Sequence, residues 1–125
     1  MSERPAETSG LDPHVVIEPV GRLVRVHLAG HTLAESRSAL ILREPGKDAR
    51  IYIPRADVDI TILQPSGHRT EAPETGPCIF FHLPDGGERS DNGAWSYESS
   101  PPSLTPIQGH VAFDPKCVDW IQIES

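Results

Sequence analysis

Glu98, His110 and Arg55 are the residues whose chemistry could add up to a reaction in this chain of 125 residues. A glutamate beside a histidine raises the imidazole pKa and gives an acid and base couple, and a guanidinium forks onto a carboxylate or phosphate. Glu98 closes the segment "AWSYE", His110 opens "HVAFDP", and Arg55 lies in "IYIPRADV", where Pro54 stiffens the backbone ahead of Asp57. Together they describe an enzyme in which Glu98 and His110 exchange protons while Arg55 holds an anionic substrate. Two of them also have a structural use: Arg55 and Asp57 pair across a capped corner, and His110 caps the proline-rich loop before it.

A binding domain without turnover draws on the same region. Tyr52, Arg55, His68, Arg69, Trp95 and Tyr97, with Glu98 and His110, give a polar and aromatic set for a small anionic or polar ligand. On a strand, Trp95 and Tyr97 share one face while Ala94, Ser96 and Glu98 share the other. Such a ring pair reads first as a seam of the core with its polar tips satisfied, and second as the edge of a pocket. A third reading is an interaction module whose exposed strand edges pair with a partner or with a second copy.

Other chemistries fit less well. Cys78 and His82, with His110 and Cys117, offer two thiols and two imidazoles, but not the tight Cys-x2-Cys spacing that zinc favours. Four positions along a strand separate Cys78 from His82 by roughly 13 Å at about 3.3 Å per residue, so no metal site is expected, nor any other cofactor. No Gly-x-Ser-x-Gly element is present, and Cys117 follows a lysine without an evident base. "PDGGE" lacks the strand, helix and lysine of a phosphate loop and reads as a hairpin turn.

The elements that must position these residues are short strands. Thirteen prolines and ten glycines leave little room for long helices. "RLVRVHLAGHTLAES" alternates on either side of a turn at Ala29–Gly30 and predicts a hairpin. A helix competes only over Ala34–Arg43, which lacks Gly and Pro. "ARIYIP", "VDITILQP", "CIFFHL", "AWSYE", "HVAFDP" and "VDWIQIE" read as strands, Pro54 opens a single helical turn toward Asp57, and Pro65–His68 reads as a turn. Seven to nine short strands in an antiparallel all-β domain follow. Residues 1–13 read as a polar disordered tail, and residues 14–125 as one domain.

A formal net charge of −7 without a basic patch excludes nucleic acid. No apolar run is long enough for a membrane span or signal peptide. Two widely spaced cysteines are expected as free thiols, so the reading is a cytoplasmic, soluble protein. Homo-oligomerisation stays open.

"GHTLAES", "IYIPRADV", "GAWSYESSPP" and "GHVAFDP", in this order and over about residues 20–123, resemble the domain-of-unknown-function family 427 of bacteria and fungi, which also carries a nucleotidyltransferase-like label. The resemblance implies a small β-tent of the Mss4-like type without its zinc knuckles. It implies no reaction, and no phosphate loop or carboxylate pair here matches the transferase label. Where the family typically reads Cys-Pro-Tyr-Lys-Gly, this chain has Ala72-Pro73-Glu74-Thr75-Gly76, so chemistry that depends on that thiol or lysine is expected to be absent.

Overall fold

The structure is a computed structural model that describes residues 15–72, 76–98 and 102–124; the tail read at residues 1–13 lies outside them. Ten strands are present: β1 (Val16–Pro19), β2 (Val24–Leu28), β3 (His31–Ser36), β4 (Leu40–Arg43), β5 (Arg50–Pro54), β6 (Gln64–Ala72), β7 (Gly76–His82), β8 (Ala94–Tyr97), β9 (His110–Phe113) and β10 (Trp120–Ile123). They form an all-β domain of two antiparallel sheets, a large one in the order β1-β4-β5-β9-β8-β7-β6 and a small one in the order β10-β2-β3. Helical structure among the described residues is confined to short 3-10 turns. None is long and apolar enough to cross a membrane.

Alternation dictates the layers. In β2, Val24, Val26 and Leu28 are buried while Arg25 and His27 are half-exposed. The buried set meets Leu33, Ala34, Ile53, Ala94, Val111 and Phe113 in the core between the sheets. Ala29 and Gly30 both take positive φ, 53° and 83°, in the two-residue turn between β2 and β3, because such turns match the twist of the strands they join. Alanine is strained there, and its N–H is held by Asp119 Oδ2 at 2.8 Å.

A second cluster covers the outer face of the large sheet. Tyr52, Leu104, Ile107 and Ala112 are buried together, with Ile17, Leu40, Leu42, Trp95 and Tyr97 packed around them. Leu104 and Ile107 come from the 3-10 segment Pro102–Ile107, which crosses that face as a strap. Its exit is tied by the Gly109 N–H to the Tyr97 carbonyl at 3.0 Å.

Several local expectations are corrected. The segment 58–63 is no strand: Asp59 accepts the Thr61 N–H and caps a 3-10 turn, Ile60–Ile62, leaving only Val58 bridged to Ala34. Pro65–His68 does not turn the chain, because β6 runs through it with a bulge between Pro65 and Arg69. The link from β7 to β8 is a longer 3-10 segment, Pro84–Ser90, in place of a tight hairpin. Across Ala34–Arg43 the strand outcome holds, since the buried Ser36 Oγ donates to Asp57 Oδ2 at 2.6 Å and accepts the Ser38 N–H, turning β3 into β4. Among the described residues the strands number ten, more than expected, because the polar start and the bulged edge also pair.

Candidate functional site

The large sheet divides the residues singled out in the sequence between its two faces. Ala94 pairs with Phe113, both in the inter-sheet core, whereas Trp95 pairs with Ala112, which belongs to the outer cluster. Even-numbered β8 residues therefore face inward and odd-numbered ones outward.

Outward lies an aromatic row. His68 meets Phe80 at a tilt with ring centroids 4.7 Å apart, Phe80 meets Trp95 at 6.2 Å, and Tyr52 lies 6.3 Å from Tyr97. Trp95 Nε1 donates to the Tyr52 hydroxyl at 3.1 Å. Ala112 stands between them in the ladder, paired with Tyr52 on one side and Trp95 on the other, and its small side chain leaves room for that bond to pass over it. Burial raises the pKa of Tyr52, whose residue is 3% exposed. It also pushes Tyr97 up to about 12, aided by Cys78, and Cys78 up to about 11. These are neutral side chains in an apolar seam closed by the strap.

Inward, at the rim of the core, lies the charged group. Arg55 leaves the 3-10 turn after β5 and reaches across β9 to β8. Its Nη2 donates to Glu98 Oε2 at 2.6 Å and to Ser96 Oγ at 3.1 Å, and Ser96 Oγ donates to the same carboxylate oxygen at 2.6 Å. Ser96 is fully buried, while the Arg55 and Glu98 side chains are 40% and 34% exposed. Partial burial raises the Glu98 pKa, but the Ser96 hydrogen bond and the Arg55 guanidinium outweigh it and leave the carboxyl below its ordinary value. Arg69 pairs with Ile79 and Ile79 with Ser96, so Arg69, Ile79 and Ser96 form one row on this inward face.

Glu98 and His110 are thus directed to different sides. The Glu98 carboxylate bonds Ser96 on the inward side, whereas His110 shares the parity of Ala112 and its Nδ1 lies 3.2 Å from the Gln108 carbonyl of its own loop. Both cysteines are free, Cys78 buried and Cys117 half-buried. No group of three or more His, Cys, Asp or Glu side chains is gathered to hold a metal among the described residues. Of the family-like segment 72–76, Ala72 and Gly76 face each other across β6 and β7, and residues 73–75 lie outside the described residues.

Sequence reasoning did not single out Ser96, which joins Arg55 to Glu98, nor an open cleft of about 510 Å³ between the end of β3 and the Arg55–Asp57 turn. Glu35, Ser36, Arg37, Asp57 and Asp59 line that cleft. Ser96 carried a signal, its parity with Glu98 in "AWSYE"; the cleft carried none, because it depends on where β3 ends against a turn more than twenty positions away.

No curated protein matches the chain. A family model described as "Domain of unknown function (DUF427)", whose short label names a nucleotidyltransferase, matches residues 16–124 and so spans all ten strands. The chain, with its seam on one face of the large sheet and its charged rim on the other, belongs to the family DUF427.

Proposed function

We propose that this chain is a ligand-binding domain for a small anionic or polar molecule, taken at the rim formed by Arg55, Arg69, Glu98 and Ser96. The observation that carries the reading is the Arg55 guanidinium held between the Glu98 carboxylate and the buried Ser96 hydroxyl, with Arg69 two strands along the same row of the inward face. Arg55 is held in a fixed orientation by Glu98 and Ser96, and a guanidinium already oriented loses less freedom on meeting a carboxylate or phosphate. Glu98 adds an acceptor for a ligand hydroxyl or amine. Binding is favoured over turnover, because a carboxylate held ionised beside Arg55 is a weak base and His110 is turned from it. The outer seam supports the rim from behind, its Tyr52 ring buried and its Trp95 and Tyr97 rings partly buried against the strap. We read residues 14–125 as the folded unit, of the β-tent type, working in a reducing compartment that suits two free thiols.

Thermal-shift screening with inorganic phosphate, nucleotides, phosphorylated sugars and small carboxylates tests this. A ligand at 100 times its dissociation constant adds about 2.7 kcal/mol, and Arg55→Gln should abolish the response, read against that variant's own unliganded Tm. A flat response to every anion refutes the reading.

A further inference from the structure

The two sheets end in four edge strands, and three are blunted against further pairing. β1 carries Glu18 and Pro19, and β6 carries Pro65 and a bulge. β3 is bridged by Val58 at Ala34 and by the Asp59 N–H on the Leu33 carbonyl. Prolines, charges, bulges and covering segments are the usual protections of an edge. Among the described residues β10, reading Trp-Ile-Gln-Ile, has none of them and lies at the end of the small sheet. It also carries two of the four large apolar side chains that the described residues expose, Trp120 at 56% and Ile123 at 43%. Ile123 pairs with the core residue Val24 and points to the core side, so its exposure comes from having no neighbouring strand there among the described residues.

The backbone says what kind of neighbour fits. The Glu124 N–H donates to the Leu23 carbonyl in the register that pairs Ile123 with Val24. In an antiparallel ladder this alternation turns the N–H and C=O of Ile121 and Ile123 away from β2, toward the open edge.

We propose that β10 pairs antiparallel with β10 of a second copy of this chain, about a two-fold axis at Gln122, fusing the two small sheets into one. In that register Ile121 stands opposite Ile123 of the partner subunit and exchanges both backbone hydrogen bonds with it, and the symmetric pair does the same. The isoleucines close over each other on the core side, and Gln122 meets its own copy on the outer side. Charge allows the approach despite the net charge of −7. The strand itself is uncharged, and the flanking carboxylates are each countered within the chain, Asp119 by Arg89 at 3.1 Å and Glu124 by Arg25 at 2.8 Å.

Sedimentation of the full chain over a range of concentrations tests the proposal. An edge this short falls at the low end of interface sizes, so a reversible dimer with a dissociation constant on the order of 100 µM is expected. Ile123→Lys places a charge in the Ile121–Ile123 pair beside the axis and should leave a monomer whose Tm does not depend on concentration. Amide hydrogen exchange at Ile121 and Ile123 should slow as concentration rises, while the amides of β1 stay constant. A monomer at about 1 mM, a dimer that survives Ile123→Lys, or exchange at Ile121 and Ile123 that ignores concentration each overturns it. Should the variant unfold, the exchange measurement on the unaltered chain decides alone.

Discussion

Replacing Arg55 by methionine separates charge from packing at the rim. Methionine keeps most of the apolar stem and removes the guanidinium. The lost contacts are the bonds to Glu98 Oε2 at 2.6 Å and to Ser96 Oγ at 3.1 Å. Because the Arg55 side chain is 40% exposed, water replaces much of what is removed, and the loss at neutral pH is about 1 kcal/mol, the upper end for solvent-screened pairs. For a domain of this size that is roughly 4 °C in Tm. The Glu98 carboxyl lies below its ordinary value in the folded chain, so its contribution is complete above the unfolded value of about 4.3 and is lost as the pH falls through the folded value. Urea unfolding of both proteins between about pH 7 and pH 3 should therefore show a gap that is constant down to about pH 5 and narrows below it. A gap that persists unchanged into acid would mean that Arg55 acts through its stem alone, and the charged rim would lose its physical basis.

Three further outcomes are expected. Leu104→Ala removes a buried anchor of the strap and should destabilise the domain by about 2–4 kcal/mol, with the near-ultraviolet circular dichroism of Trp95 and Tyr97 reduced; an unchanged spectrum would deny that the strap covers the rings. Cys78, buried and with its thiol pushed up to about 11, should resist a thiol reagent at about pH 8 until the chain unfolds, and rapid labelling in the native state would contradict that burial. Ala29→Gly relieves the positive φ of the β2–β3 turn and should raise stability by about 0.5–1 kcal/mol; a loss would show that the turn tolerates alanine without strain.

The strands that alternate strictly were legible in the sequence because alternation is itself the physical cause of a half-buried strand. Val24, Val26 and Leu28, and Val111 with Phe113, go to the core as their spacing demands. Val58–Leu63 alternates equally well and still fails, because Asp59 offers the backbone a local cap and Leu33 takes the Asp59 N–H. Pairing partners were not legible: that β10 joins β2 and that β9 enters between β5 and β8 depends on contacts between distant segments. The site was legible by residue type but not by side. Arg55 and Glu98 come together with Ser96, while Tyr52, Trp95 and Tyr97 turn to the opposite face, a separation set by the registers of β8 and β9.

The small sheet sandwiches an early strand between its hairpin mate and a very late one, so that Arg25 and Glu124 meet across ninety-nine positions. Such non-local closure slows folding into the millisecond-to-second range typical of β proteins. Until β10 arrives, the β2–β3 hairpin has a bare flank, and Val24 and Val26 lack part of their cover. Fragments that stop short of Trp120 should therefore be sticky and protease-sensitive even with the seven strands of the large sheet intact.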